Sequence, residues 1–184
     1  RLSGDGSLGS WQAMTPMSSA RDWPAAIQAA GFLYVLGGGY PNFGSLLSSV
    51  ERAAIGADGS LGPWEATTSM VTARSVFAVV HAGGYLYALG GYGGASSVER
   101  ARIEADGSLG LWQATTSMTL GRQGLAAVAA RGYIYALGGS FTSSVERAAI
   151  NADGSLGSWQ STSSMTAARG YLAAVVVGDY LYAI

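Results

Sequence analysis

The chain has 184 residues, no cysteine and one histidine, with 49% apolar against 11% charged residues, the balance of a folded domain with a sizeable core. Its net charge is −1, and its ten basic residues, all arginine, stand singly, so the clustered basic stripe of a nucleic-acid surface is excluded. Lack of cysteine removes disulfides, thiolate catalysis and thiolate-held metals, and no apolar run approaches the roughly 20 residues of a membrane helix.

The opening "RLSGDGSLGSWQAMTPM" lacks the apolar centre and cleavage site of a signal peptide. It reads as the end of a third strand, a Gly-rich turn and a fourth strand, in a partial unit over 1–20. A full unit follows over 21–73. It runs through Arg21, an apolar strand, "FLYVLGGG", "SSVERAAI", the turn "ADGSLG" and the polar "WEATTSM". The same order returns over 74–121 and 122–168, and its first part again over 169–184. Trp11, Trp64, Trp112 and Trp159 are spaced by 53, 48 and 47 residues, and Arg21, Arg74, Arg122 and Arg169 keep the same spacing. A period near 50 marks stacked supersecondary units that cannot bury their faces alone.

Within a unit, two short runs rich in Val, Ile and Tyr meet at Arg131-Gly132, Gly83-Gly84 or Gly178-Asp179, which is hairpin chemistry. "SSVERAAI" makes a third strand and "WQATTSM" a Thr/Ser-rich outer edge. Four antiparallel strands per unit predict an all-β propeller with about four blades in this chain. The tryptophans are expected as wedges between blades, since a buried indole removes about 200 Å² from water. The pairs Gly37-Gly38, Gly90-Gly91 and Gly138-Gly139 end the second strand, where only a residue without Cβ turns with positive φ or admits a close neighbour.

The order Arg, apolar strand, Tyr, Gly-Gly, "SVER", Trp and Met resembles the kelch repeat over essentially the whole chain, in its bacterial rather than its animal adaptor form. The units carry Ala where that family usually has Tyr in the third strand, and their turn is longer. The resemblance implies six or seven blades in the complete ring. The expectation is therefore a part of a longer chain, or two copies that self-associate to complete one ring.

Turns before the first and after the second strand share one end of the blades, here the top; the other turns share the bottom. "ADGSLG" at the bottom barely changes, whereas the top loops read "GYPNFGSLL", "YGGA" and "SFT". Variation on a constant scaffold points to the top face as the ligand surface. Its candidate contacts are Asp22, Trp23, Tyr40, Asn42, Phe43, Tyr92, Phe141 and Tyr171, aromatic rings among small polar residues that suit a glycan or a protein partner. The same rings have a packing role as their alternative. Arg21, Arg74, Arg122 and Arg169 are placed to ring the channel mouth, where the resemblance implies contact with acidic ligands. Their structural alternative is bonding to carbonyls of the adjacent blade, which better explains one per unit.

Other chemistry is poorly supported. His81 stands alone, too few for the copper radical site or the zinc site of propeller enzymes. "NADGSLG" has one aspartate where a calcium loop needs several oxygen ligands at alternate positions, and it departs from the sialidase Asp box in the placing of Gly and Trp. The sequence therefore points to a non-enzymatic binding or scaffold module without cofactor or metal, extracellular, on the cell surface or periplasmic. The alternatives are a propeller enzyme acting on acidic sugars with its catalytic groups in other blades, and a self-assembling surface protein.

Overall fold

The computed structural model describes residues 4–39 and 44–184, whose regular elements are fourteen strands. The first unit folds as β1 (Ala25–Ala29), β2 (Phe32–Leu36), β3 (Val50–Ala54) and β4 (Glu65–Thr67). The second contains β5 (Ala78–Ala82), β6 (Tyr85–Leu89), β7 (Val98–Arg102) and β8 (Gln113–Thr115). The third contains β9 (Ala126–Ala130), β10 (Tyr133–Leu137), β11 (Val145–Ala149) and β12 (Gln160–Thr162). A two-stranded sheet of β13 (Ala174–Val177) and β14 (Tyr180–Ala183) follows. Within each sheet the strands lie in chain order and every pairing is antiparallel.

Local chemistry sets each hairpin. Arg131 and Gly132 link β9 to β10 with φ of 50° and 78°, and Gly83 and Gly84 link β5 to β6 with 58° and 81°. Two successive left-handed residues are what a two-residue hairpin matched to strand twist demands. The first strands β1, β5, β9 and β13 pack in succession, so the sheets fan around a common axis as propeller blades.

The core lies between blades rather than within them. In β6, Leu86, Tyr87, Ala88 and Leu89 are all fully buried, which requires cover on both faces of the sheet. One cluster joins Tyr34, Leu36 and Val50 to Leu86, Ala88 and Trp112; the next joins Tyr87, Leu89 and Val98 to Ile134, Ala136 and Trp159. Trp112 and Trp159, only 5% and 6% exposed, donate their indole N–H to the carbonyls of Thr68 and Thr116 in the preceding blade, each at 2.9 Å. Trp64 is half-buried and donates in the same way to Thr15. Trp11 departs from the expected wedge: it is 91% exposed, because no blade stands ahead of it among the described residues.

The paired glycines act as clips. Gly37, Gly90 and Gly138 have φ of 58°, 63° and 57°. A Cβ there would stand 2.5, 2.5 and 2.7 Å from the carbonyl oxygens of Arg74, Arg122 and Arg169 in the next unit. Those same oxygens accept the N–H of Gly38, Gly91 and Gly139 at 2.7, 2.7 and 2.9 Å.

Candidate functional site

At the bottom, each Asp-Gly-Ser turn first bonds to itself. The carboxylates of Asp58, Asp106 and Asp153 accept the backbone N–H and the hydroxyl of Ser60, Ser108 and Ser155. The serine hydroxyl bonds and then the serine amide bonds hold all three carboxyls below their ordinary range. The Asp106 and Asp153 turns then dock on the blade before them. The Tyr34 hydroxyl donates to the Gly107 carbonyl at 2.7 Å and Tyr87 to Gly154 at 2.8 Å, while Arg52 and Arg100 donate to the carbonyls of Asp106 and Asp153. Burial pushes the Tyr87 hydroxyl up to about 12. Thr67 and Thr68 bracket Leu109, and Thr115 and Thr116 bracket Leu156, each pair accepting an N–H and donating to a carbonyl. The bottom turns are constant because the aspartate, serine, glycine and leucine of each docked turn are all bonded in this joint.

The repeated arginines are turned inward. Arg74 donates to the carbonyls of Gly90 and Ser97 at 2.7 and 3.1 Å, to the Ser97 hydroxyl at 2.8 Å and to Glu99 at 3.0 Å. Arg122 repeats the set on Gly138, Ser144 and Glu146, and Arg21 on Gly37, Ser49 and Glu51. These partners belong to the arginine's own blade, which corrects the expected bond to the adjacent one. Arg21, Arg74 and Arg122 have side chains 0–1% exposed and so present no guanidinium to a ligand, because the third-strand glutamate compensates the charge inside the blade. Arg169 is exposed.

The glutamates also tie in the incoming chain. Glu99 accepts the N–H groups of Val71 and Thr72, Glu51 the N–H and hydroxyl of Ser18, and Glu146 those of Thr119. For Glu51, burial raises the pKa, yet the hydrogen bonds from Ser18 and Arg21 outweigh it and hold the carboxyl below its ordinary value.

At the top, one backbone strand of hydrogen bonds crosses the blades. Val76 N–H donates to Trp23 O at 3.2 Å, Gly124 N–H to Val76 O at 2.8 Å, and Tyr171 N–H to Gly124 O at 2.7 Å. All four residues are left-handed, with φ of 54°, 54°, 63° and 56° in chain order. Glycine adopts this conformation freely, whereas Trp, Tyr and above all β-branched Val are strained in it.

This chain of bonds gathers three rings. The Trp23 and Tyr171 centroids lie 5.8 Å apart with planes at 54°, and those of Phe141 and Tyr171 lie 6.3 Å apart at 63°. All three stay open to solvent, with exposures of 55%, 71% and 61% for Trp23, Phe141 and Tyr171. Neutral polar groups border them: the Ser140 hydroxyl accepts the Gln123 N–H, and Gly170 lies beside Phe141. Asp22 pairs by backbone with Gly39, and exposed Tyr92 with Ser75. Tyr40, Asn42 and Phe43 lie outside the described residues.

His81 is exposed near the bottom of β5, beside Gly83 and Arg131. Among the described residues no group of three His, Cys, Asp or Glu stands close enough to hold a metal ion, and no helix is long and apolar enough to cross a membrane. Sequence reasoning placed the rim aromatics on the top face but did not bring Trp23, Phe141 and Tyr171 together. The available sign was the variable residue two places after each repeated arginine. No protein-family model matches the chain, nor does any curated protein.

Proposed function

We propose that this chain is part of a kelch-like β-propeller that works as a binding or scaffold module through its top face, outside the cell or at its surface. One observation carries the reading. Most repeated residues are consumed in bonds within and between blades, as Arg74 with Glu99 and Tyr87 with Gly154 are, whereas the aromatic residues that differ between units, Trp23, Tyr92, Phe141 and Tyr171, stand exposed at the top rim. Blade repeats serve both binding and catalysis, so the site rather than the fold decides. Inward-turned arginines weaken the alternative of an enzyme gripping acidic sugars, since three of the four guanidiniums already hold a buried glutamate.

The test compares faces. The chain is probed on peptide and glycan arrays beside a top-rim variant, W23G/F141G/Y171G, and a bottom variant, H81A/R131A. Specific signals kept by the bottom variant and lost by the top one support the reading; the reverse pattern assigns ligand binding to the bottom.

A further inference from the structure

We propose that Trp23, Phe141 and Tyr171 form a stacking site for a neutral sugar ring of an oligosaccharide, an inference that rests on the top face being the ligand surface. Its ground is the backbone under the rings. The place of Trp23 and Tyr171, two residues after the repeated arginine, is held in the third unit by Gly124 with φ of 63°. Phe141 stands at the third position of the turn closed by Thr142 N–H on Gly139 O, and the sister turn closed by Gly94 N–H on Gly91 O has Gly93 there with φ of 86°.

All three rings therefore occupy left-handed positions where a sister unit places glycine, at the matching bond for Trp23 and Tyr171 and at the matching turn position for Phe141, although the preceding turn residue is left-handed only at Ser140. The fold asks for no side chain there and is strained by one. Nor do the rings repay that strain as core, since each is more than half exposed. Yet they converge from three different units onto one patch, Trp23 and Phe141 both meeting Tyr171, with the Tyr171 ring lying against Gly124. Strained residues that cluster on a surface are a mark of ligand contact rather than of packing.

The chemistry of the patch selects the ligand. Aromatic faces supply apolar area at low rotamer cost and match the C–H face of a sugar ring. Around them, Gln123, Ser140 and Gly170 suit hydroxyl groups. Arg74 and Arg122 are withdrawn into ion pairs, which leaves stacking rather than charge as the basis of recognition.

The full chain is titrated calorimetrically with cellohexaose, chitohexaose, maltohexaose and 3′-sialyllactose, alongside W23G, Y171G and R169A. Expected is a Kd of about 1 mM or tighter for at least one neutral hexasaccharide, weakened about tenfold or more in W23G and Y171G and unchanged in R169A. Circular dichroism of W23G and Y171G at the titration temperature is expected to match the parent, so loss of binding is not loss of fold. Binding of sialyllactose alone, lost in R169A and kept in W23G, overturns the stacking site while sparing the top-face reading. So does a lack of saccharide binding when peptide-array signals depend on Trp23. No ligand of either class at the top rim overturns both.

Discussion

The joint between the first two blades and the rim above them are built from the same repeats, yet they follow opposite rules. In the joint, Trp112, Tyr34 and the Asp106 turn are buried or bonded, and each has its counterpart one unit later in Trp159, Tyr87 and the Asp153 turn. On the rim, Trp23, Val76, Gly124 and Tyr171 share one backbone conformation, with three different side chains and a glycine. Repetition here records what a blade needs from its neighbour. Divergence at fixed backbone geometry records freedom from that need.

The joint should therefore break easily where it is buried and hardly at all where the same letter is exposed. Trp112→Ala removes a buried wedge and is expected to lower stability by about 3–5 kcal/mol. Trp11→Ala, at a position 91% exposed, is expected within about 0.5 kcal/mol of the parent chain. Glu99→Ala belongs with the large effects, because it strands the buried Arg74 charge at a cost of about 3–5 kcal/mol. Urea unfolding of the three variants decides this; a Trp11 effect as large as that of Trp112 would mean the two tryptophans are equivalent after all.

A single hydrogen bond probes the joint more finely. Tyr87→Phe keeps the packing but leaves the Gly154 carbonyl without its donor, for an expected loss of about 1–3 kcal/mol. In the parent, the Tyr87 pKa near 12 against an ordinary 10 means the unfolded chain ionises first. Its contribution is full below pH 10 and declines as pH rises toward 12. The Phe variant should lack that alkaline decline.

Acid acts on the glutamate tie. Glu51 is held below its ordinary 4.5, so the unfolded state takes up its proton first as pH falls. Its stabilisation is complete above 4.5 and is lost as pH drops through the lower folded value. Glu51→Gln is expected to be less stable at neutral pH and to show a shallower acid limb. An unchanged limb would shift the acid sensitivity to Asp58, Asp106 and Asp153, whose carboxyls are likewise held low.

Much of this contrast was legible in the letters. The hairpin at Arg131-Gly132, the glycine pairs and the blade count follow from local chemistry and period, which depend only on neighbours in sequence. The direction of the arginines did not follow. Spacing places Arg74 at the top of its blade, but whether it faces the channel or Glu99 depends on strand register, and β6 against β7 sets Ala88 opposite Glu99. Trp11 stands in nearly the sequence of its siblings, with Met14 where they have Thr67, Thr115 and Thr162, and the letters do not show what packs on it. Trp23 and Tyr171 meet because the blades curve, a distance that no single unit contains.

A substitution at the rim itself is the sharpest test of it. Trp23→Gly relieves a left-handed tryptophan, worth about 1–2 kcal/mol, and adds unfolded-chain entropy that costs about 0.5–1 kcal/mol. It also removes the ring contact to Tyr171, at 5.8 Å, worth about 0.5–1.5 kcal/mol. Together with the indole area that a 55% exposure leaves covered, these give a net loss that should stay well below that of Trp64→Ala, as the use of glycine at the sister position 124 implies. Trp64→Ala, half-buried with its N–H on Thr15, is the matched control and should fall clearly. If Trp23→Gly falls as far as Trp64→Ala, the indole is part of the core and the rim is held together by its rings. If it does not, the fold does not depend on the indole, and the rim differs from the joint as the exposures of Trp23 and Trp112 imply.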